Sequence, residues 1–432
     1  MIVANRCIDP QSDANARRRL LASRTSLPMT SPPGQRASKP EFIALMAMMF
    51  ATIAFSIDAM LTALPAIATD IAPGGVEQAA LIMTMFLVGM GIGTFITGPL
   101  SDAIGRKPVV YIGLAIYALG AVLAWIAPTL ELMLAARILQ GLGAAGPRVV
   151  SAAIIRDLYS GRGMASILSL TMMVFLLVPA AAPLVGSWIA AAFGWRAIFP
   201  SFVLFALIIL IWFATRMSET LPPENRRPMR LPLMADAVRQ MFAHPTVRLS
   251  IFVQTLMLMI LFSILTMVQP IFEVTFDRAE SFPWWFGAIA LASGVSSLLN
   301  AAIVGRFGMR RLVTWALAAQ LIISGVFVMW MMADLPGLFA FYIFWQWGVM
   351  FQGGLTVANL NAIAMEPMGH IAGMAASVIG AVSTVLGAAL ASPIGMLFDG
   401  TPMALVATVL VACIVASVMM QYMRRAEKAQ MA

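Results

Sequence analysis

The sequence predicts an all-α polytopic membrane protein with twelve transmembrane helices in two six-helix halves and both termini cytoplasmic. Three observations predict it. Of 432 residues, 61% are hydrophobic and 11% charged, against about 25% charged in an ordinary soluble domain. Mean hydropathy is +0.91. The apolar residues come in runs of about twenty, the length that crosses a bilayer as a helix. The basic residues lie almost wholly in alternate loops between those runs, as topology-setting charges do.

Residues 1–40 hold seven basic side chains (Arg6, Arg17, Arg18, Arg19, Arg24, Arg36 and Lys39) among clustered Ser and Pro. With no long apolar core, this stretch reads as a disordered basic cytoplasmic tail and not as a signal peptide. Translation from Met1 or from Met29 would supply such a tail. Six apolar runs, centred near Phe50, Met85, Ile116, Gly143, Val174 and Leu207, make a first half over 41–215. A polar central loop, 216–248, follows. Within it Met234, Val238, Met241 and Phe242 share one helical face, which lies along the inner membrane surface or packs on the bundle. Six further runs, centred near Met259, Ser293, Ile322, Gly348, Val382 and Val411, make a second half over 249–423. A short tail, 424–432, ends the chain.

Charge tests this layout. With the N-terminus inside, cytoplasmic segments hold 23 basic residues and the outer loops only Arg196 and Arg278. A wrong span count or the opposite orientation would destroy that asymmetry. The formal charge of +8 therefore reflects topology, and a nucleic-acid partner is not expected. Cys7 and Cys413 form no disulfide or metal pattern. Two histidines, His244 and His370, with no phosphate-binding loop give no basis for an enzyme or a cofactor.

The loop Gly98–Pro108, GPLSDAIGRKP, is wedged between two runs free of ionisable residues. It must join antiparallel spans, with Arg106 and Lys107 cytoplasmic. The second-half segment Gly305–Leu312, GRFGMRRL, echoes it in position and charge but lacks its aspartate. Two related halves imply a substrate site at the interface between them.

An ionisable residue inside a span is costly unless paired or facing water, so each is a candidate site. Asp58 lies in span 1 and is the natural proton carrier: removal from water penalises a carboxylate's charge, and a nearby cation restores it. Arg137 and Arg148 lie in span 4, eleven residues apart and so within about 20° on a helix. Their common stripe, near Ala144 and Ser151, must face the bundle interior. Pro179, Pro183 and Gly186 in span 5 permit bending and close helix contact, as a hinge or an ordinary kinked helix would. Amides including Gln140, Gln254, Gln352 and Asn359 either line a cavity or tie helices together. Trp284 and Trp285 mark an interfacial belt.

These pieces together resemble the twelve-span drug:proton antiporters of the major facilitator superfamily, in the bicyclomycin/chloramphenicol-resistance branch. The likeness covers about residues 41–423. It rests on SIDAMLTALP, GPLSDAIGRKP, RILQGLGAAG, VPAAAPLVGSWI followed by FGWRAIF, and LNAIAMEPMGHIAGMAASVIGA. The resemblance implies that Asp58 couples proton to substrate and that Arg137 takes part in proton transfer. It implies a conformational latch of Gly98, Asp102, Gly105, Arg106 and Lys107, and an antiporter signature at Pro183 and Gly186. Ala103 and Thr62 depart from the family's usual Arg and Pro, and Arg148 lies outside the general motif. The expected function is proton-coupled efflux of amphipathic small molecules across a bacterial inner membrane, by one chain working alone. The alternatives are a dedicated exporter of an amino acid or sugar and, against the span-5 signature, an importer.

Overall fold

The computed structural model describes residues 37–72, 75–159, 161–175, 177–226, 228–229 and 231–431. The basic tail before Ala37 lies outside them. The first six long helices are α1 (Lys39–Leu61), α2 (Leu81–Ile104), α3 (Arg106–Ile126), α4 (Leu130–Leu158), α5 (Ser166–Phe193) and α6 (Ile198–Arg216). The last six are α7 (Pro245–Pro270), α8 (Phe282–Phe307), α9 (Met309–Met332), α10 (Leu338–Met365), α11 (Ala372–Gly395) and α12 (Met403–Met431). Among the described residues, eleven helical spans are apolar and long enough to cross a membrane. The twelfth long helix, α10, is diluted by Gln346, Gln352, Asn359 and Asn361.

Local chemistry sets the helix ends. Ser38 begins α1 with a capping box, its backbone N–H donating to Glu41 Oε2 at 3.3 Å. Glu41 also accepts from Trp212 Nε1 (3.1 Å) and Arg216 Nε (2.5 Å), which ties the start of α1 to the end of α6. Gly105 (φ +107°) and Gly308 (φ +82°) turn α2 into α3 and α8 into α9 with hardly a break. Both need backbone angles that only glycine adopts without strain. At its far end α12 runs through the expected tail to Met431, in a stretch of good helix formers.

The helix from Leu231 to Ala243 buries Met234, Ala237 and Met241. Its apolar face packs on the bundle, with Met241 in one cluster with Val247, Ile251, Val378 and Ile379.

Small residues decide which helices touch. α4 is wedged between α2 and α3: a side-chain carbon on Gly141 would overlap the Phe86 carbonyl, and one on Gly143 the backbone at Tyr117. Gly186 of α5 lies against the Ala59 carbonyl of α1 in the same way. Two seams join the halves. Along one, Gly91 and Gly98 of α2 meet Val385 and Ser377 of α11; along the other, Gly287 of α8 meets Ala180 of α5. Close backbone approach through small residues is how helices gain contact where lipid supplies no hydrophobic drive. The space enclosed between the seams is the central cavity.

Gly141→Val should therefore destabilise the protein by about 2–4 kcal/mol through forced separation of α2 and α4. At Gly163 an added side-chain carbon would meet nothing within 4 Å. That position should accept Ala with no loss, Ala being the better helix former. Thermal unfolding in detergent compares the two.

Candidate functional site: a central cavity and two charge clusters

The central cavity has a volume of ≈ 500 Å³ and is bounded by helices of both halves. Its wall is largely apolar: Phe50 and Ile57 of α1, Met172 and Phe175 of α5, Phe262 of α7, Phe286 of α8 and Met350 of α10. Polar groups are few and include Ser293, Ser296 and Ser297 of α8, Thr384 of α11 and Gln254 of α7. The volume and the few placed polar groups are those of a small-molecule site.

Two charged residues, Asp58 and Arg148, open onto this cavity. Asp58 is 5% exposed. Among the described residues neither side chain has an ion-pair or hydrogen-bond partner. Pro179 lines the cavity as well, whereas Pro183 and Gly186 are buried about one and two turns further along α5, Gly186 against Ala59 of α1.

Arg137, on the interior-facing stripe of α4, does not line the cavity that Arg148 borders. It is fully buried within the first half. Its guanidinium donates to the Ile82 carbonyl of α2 (3.2 Å), the Ser56 carbonyl of α1 (3.0 Å) and Gln140 Oε1 (2.7 Å). The Phe86 ring lies 4.6 Å beneath it, an electrostatically favourable face for a cation. Ser56 Oγ in turn meets Tyr117 Oη of α3 at 2.6 Å. One arginine thus gathers four helices, and it grips α1 two residues before Asp58.

The amides also divide. Gln254 lines the cavity, and its Oε1 is buried without a partner. Gln140 is held by Arg137, Gln352 donates to Met257 Sδ (3.0 Å), and Asn359 donates to Asn300 Oδ1 (2.7 Å). The last three make ties between or within helices. Gln352 and Asn359 find partners on neighbouring helices, and Gln140 one turn away on its own.

At the end of the bundle carrying the α2–α3 loop, Arg106 organises the first cluster. It donates to Asp102 Oδ1 (2.5 Å), Ser101 Oγ (2.8 Å) and Asp157 Oδ2 (2.9 Å). Glu219, just beyond α6, accepts the backbone N–H groups of Arg106 (2.9 Å) and Lys107 (3.0 Å). A carboxylate on the unsatisfied amides at a helix start is a favourable charge–dipole contact. Lys107 Nζ donates to the Ala214 carbonyl at 3.3 Å. Gly98 has a separate role, since it touches Ser377 across the seam.

The second half repeats this construction. Arg310, just after Gly308, donates to Glu427 Oε1 of α12 (2.8 Å) and Glu366 Oε2 beyond α10 (3.2 Å). Glu427 and Glu366 stand where Glu219 and Asp157 stand in the first half. Asp157, Glu219, Glu366 and Glu427 carried no local sequence signal, because their partner arginines lie 51 to 117 residues away. At the opposite end Asp70 accepts from Arg196 and from Trp195 Nε1 (3.2 Å).

This geometry defines a solute carrier of the twelve-helix, two-half type. The family model for the Major Facilitator Superfamily matches residues 44–392, and the chain belongs to that superfamily. It is 28% identical over 394 residues to a bicyclomycin resistance protein homolog of Haemophilus influenzae, spanning 90% of this chain and 97% of the relative. Over 166 residues it is 34% identical to the multidrug resistance protein MdtL of Escherichia coli, covering 38% and 42% of the two chains. Among solved structures it shares the fold of the xylose transporter XylE of Escherichia coli, with TM-score 0.69 and 13% identity over 89% of this chain and 98% of that one.

The two charge clusters differ in exposure, and so should their contributions. The side chain of Arg106 is 5% exposed and that of Asp157 17%, whereas Glu366 is 57% exposed. Asp157→Ala should lower stability by about 2–4 kcal/mol, since it strips a buried cation of a partner. Glu366→Ala should cost no more than about 1 kcal/mol. Unfolding midpoints of the two variants check the order.

Proposed function

We propose that the protein exports amphipathic small molecules across the bacterial inner membrane in exchange for protons, working as a monomer with both termini cytoplasmic. The observation that carries this reading is Asp58: a carboxylate in the wall of a large apolar cavity with no partner among the described residues. Such a group is expensive to ionise unless a cation, water or substrate answers it. The relatives named for bicyclomycin and multidrug resistance support a drug-like cargo. The apolar wall supports it too, since a sugar would need a denser array of donors and acceptors than this cavity offers.

In the cycle, substrate enters the cavity from the cytoplasm while Asp58 is ionised. A proton arriving from outside neutralises Asp58 and releases the substrate there. Loss of that proton toward the cytoplasm resets the carrier. Inward movement of one proton supplies about 2.3 kcal/mol per 100 mV, and each pH unit adds about 1.4 kcal/mol. Arg137 acts as a positioning residue: because it holds the Ser56 carbonyl, a shift of α1 on protonation of Asp58 is transmitted to α2, α3 and α4. The Arg106 and Arg310 clusters keep each half rigid at the cytoplasmic end, and the halves, about 41–215 and 249–423, rock along the two glycine-rich seams.

Accumulation of phenicols, bicyclomycin, a quinolone and a lipophilic cation in an efflux-deficient host tests this. Wild-type protein should keep accumulation low, and either a protonophore or Asp58→Asn should abolish the effect while the protein remains folded in the membrane. Full proton-dependent efflux by Asp58→Asn would overturn the role of Asp58. No effect on any compound would overturn drug export.

A further inference from the structure

The cavity contains one acid and one base that do not meet. Arg148 and Asp58 both line it, and no ion pair joins them. Their heights can be compared from a single contact: Tyr159, at the end of α4, packs on Phe42 of α1 with ring centroids 5.6 Å apart. Counting from there at 1.5 Å per residue, Arg148 stands about 16 Å along the bundle and Asp58 about 24 Å. The two backbone positions therefore stand about 8 Å apart along the bundle, and among the described residues no ion pair joins the side chains across the largely apolar cavity. Arg137, the neighbouring cation of α4, directs three of its N–H groups to Ile82, Ser56 and Gln140 and lies over the Phe86 ring, and no ion pair joins it to Asp58 among the described residues. In the same cavity wall the buried Oε1 of Gln254 has no donor.

A guanidinium kept in an apolar cavity without a carboxylate is a standing cost that a bound anion relieves. Asp58 alone would select a cation, and Arg148 alone an anion. We propose that the cavity is built for zwitterionic amphipaths whose ammonium and carboxylate are several ångströms apart. The carboxylate takes the fork of Arg148, the ammonium takes Asp58 with the Gln254 carbonyl as a further acceptor, and a flat apolar body lies between them. This deepens the export reading and rests on it. It also fits exchange: with Asp58 ionised, site and substrate are each neutral overall and complementary. A proton on Asp58 leaves the ammonium unanswered and expels the substrate. An α-amino acid, with both charges on one carbon, cannot bridge the two levels.

The test uses the purified full-length protein and four probes: a piperazinyl quinolone (zwitterion), its methyl ester (cation), its N-acetyl derivative (anion) and phenylalanine as the short zwitterion. Affinity is read by equilibrium dialysis above the usual carboxylate range, and transport in everted vesicles. The quinolone zwitterion should bind about tenfold or more tightly than the ester or the N-acetyl form, with phenylalanine weakest. Arg148→Gln should weaken the zwitterion and the N-acetyl form by a similar factor and leave the ester within about twofold. Arg148→Lys, which keeps the charge, should restore part of the loss. Equal binding of zwitterion and ester by wild type, or equal weakening of both by Arg148→Gln, would overturn the proposal. If the ester or a phenicol still showed proton-driven transport in that case, the export reading would survive alone. Absence of proton-driven transport for every probe would overturn both.

Discussion

A charge carried into the interior of a membrane protein has to be answered there, and the architecture of this carrier follows from how each is answered. Arg137 is answered by carbonyls of α1 and α2, by Gln140 and by the face of Phe86. Because its acceptors come from separate helices, meeting its needs also fixes those helices in register. Arg106 and Arg310 are answered by carboxylates from distant parts of their own halves. Among the described residues Asp58 and Arg148 line the cavity with no ion pair to answer either charge.

The ion pairs described above all stay within one half or the other, whereas the halves meet through glycine and small side chains along α2/α11 and α5/α8. Ionic contacts inside each half resist deformation, and seams of van der Waals contact can slide without breaking a charge pair. Rigid units joined by a compliant seam are what alternating access about a midplane site requires. The duplicated clusters around Arg106 and Arg310 give the two units the same internal brace although their loop sequences differ.

Much of this was legible in the sequence. Twelve apolar runs and the bias of basic residues gave the helices, because hydropathy and length are properties of contiguous residues. Asp58 and Arg148 stood out as charges within spans and do line the cavity. Arg137 was equally visible as a charge, but its surroundings were not: two of its acceptors are backbone carbonyls, which every residue carries. A 20° difference on one helix did not distinguish a neighbour-facing from a cavity-facing direction, since α4 meets α1 and α2 along one part of its length and open space along another. Glu219 and Glu427 were hidden for a different reason. Their meaning depends on pairing across more than a hundred residues, and α12 had to run past its last apolar turn to bring Glu427 to Arg310. The amides Gln352 and Asn359 had two chemically reasonable uses, and packing selected the tie.

The central claim is that the proton and the substrate compete through one carboxylate. Proton release on adding substrate to the purified carrier in unbuffered detergent solution measures it directly. The account predicts that wild-type protein, poised where Asp58 is largely protonated, releases protons in step with binding and that Asp58→Asn binds residual substrate without release. Equal release from the Asp58→Asn variant would contradict it.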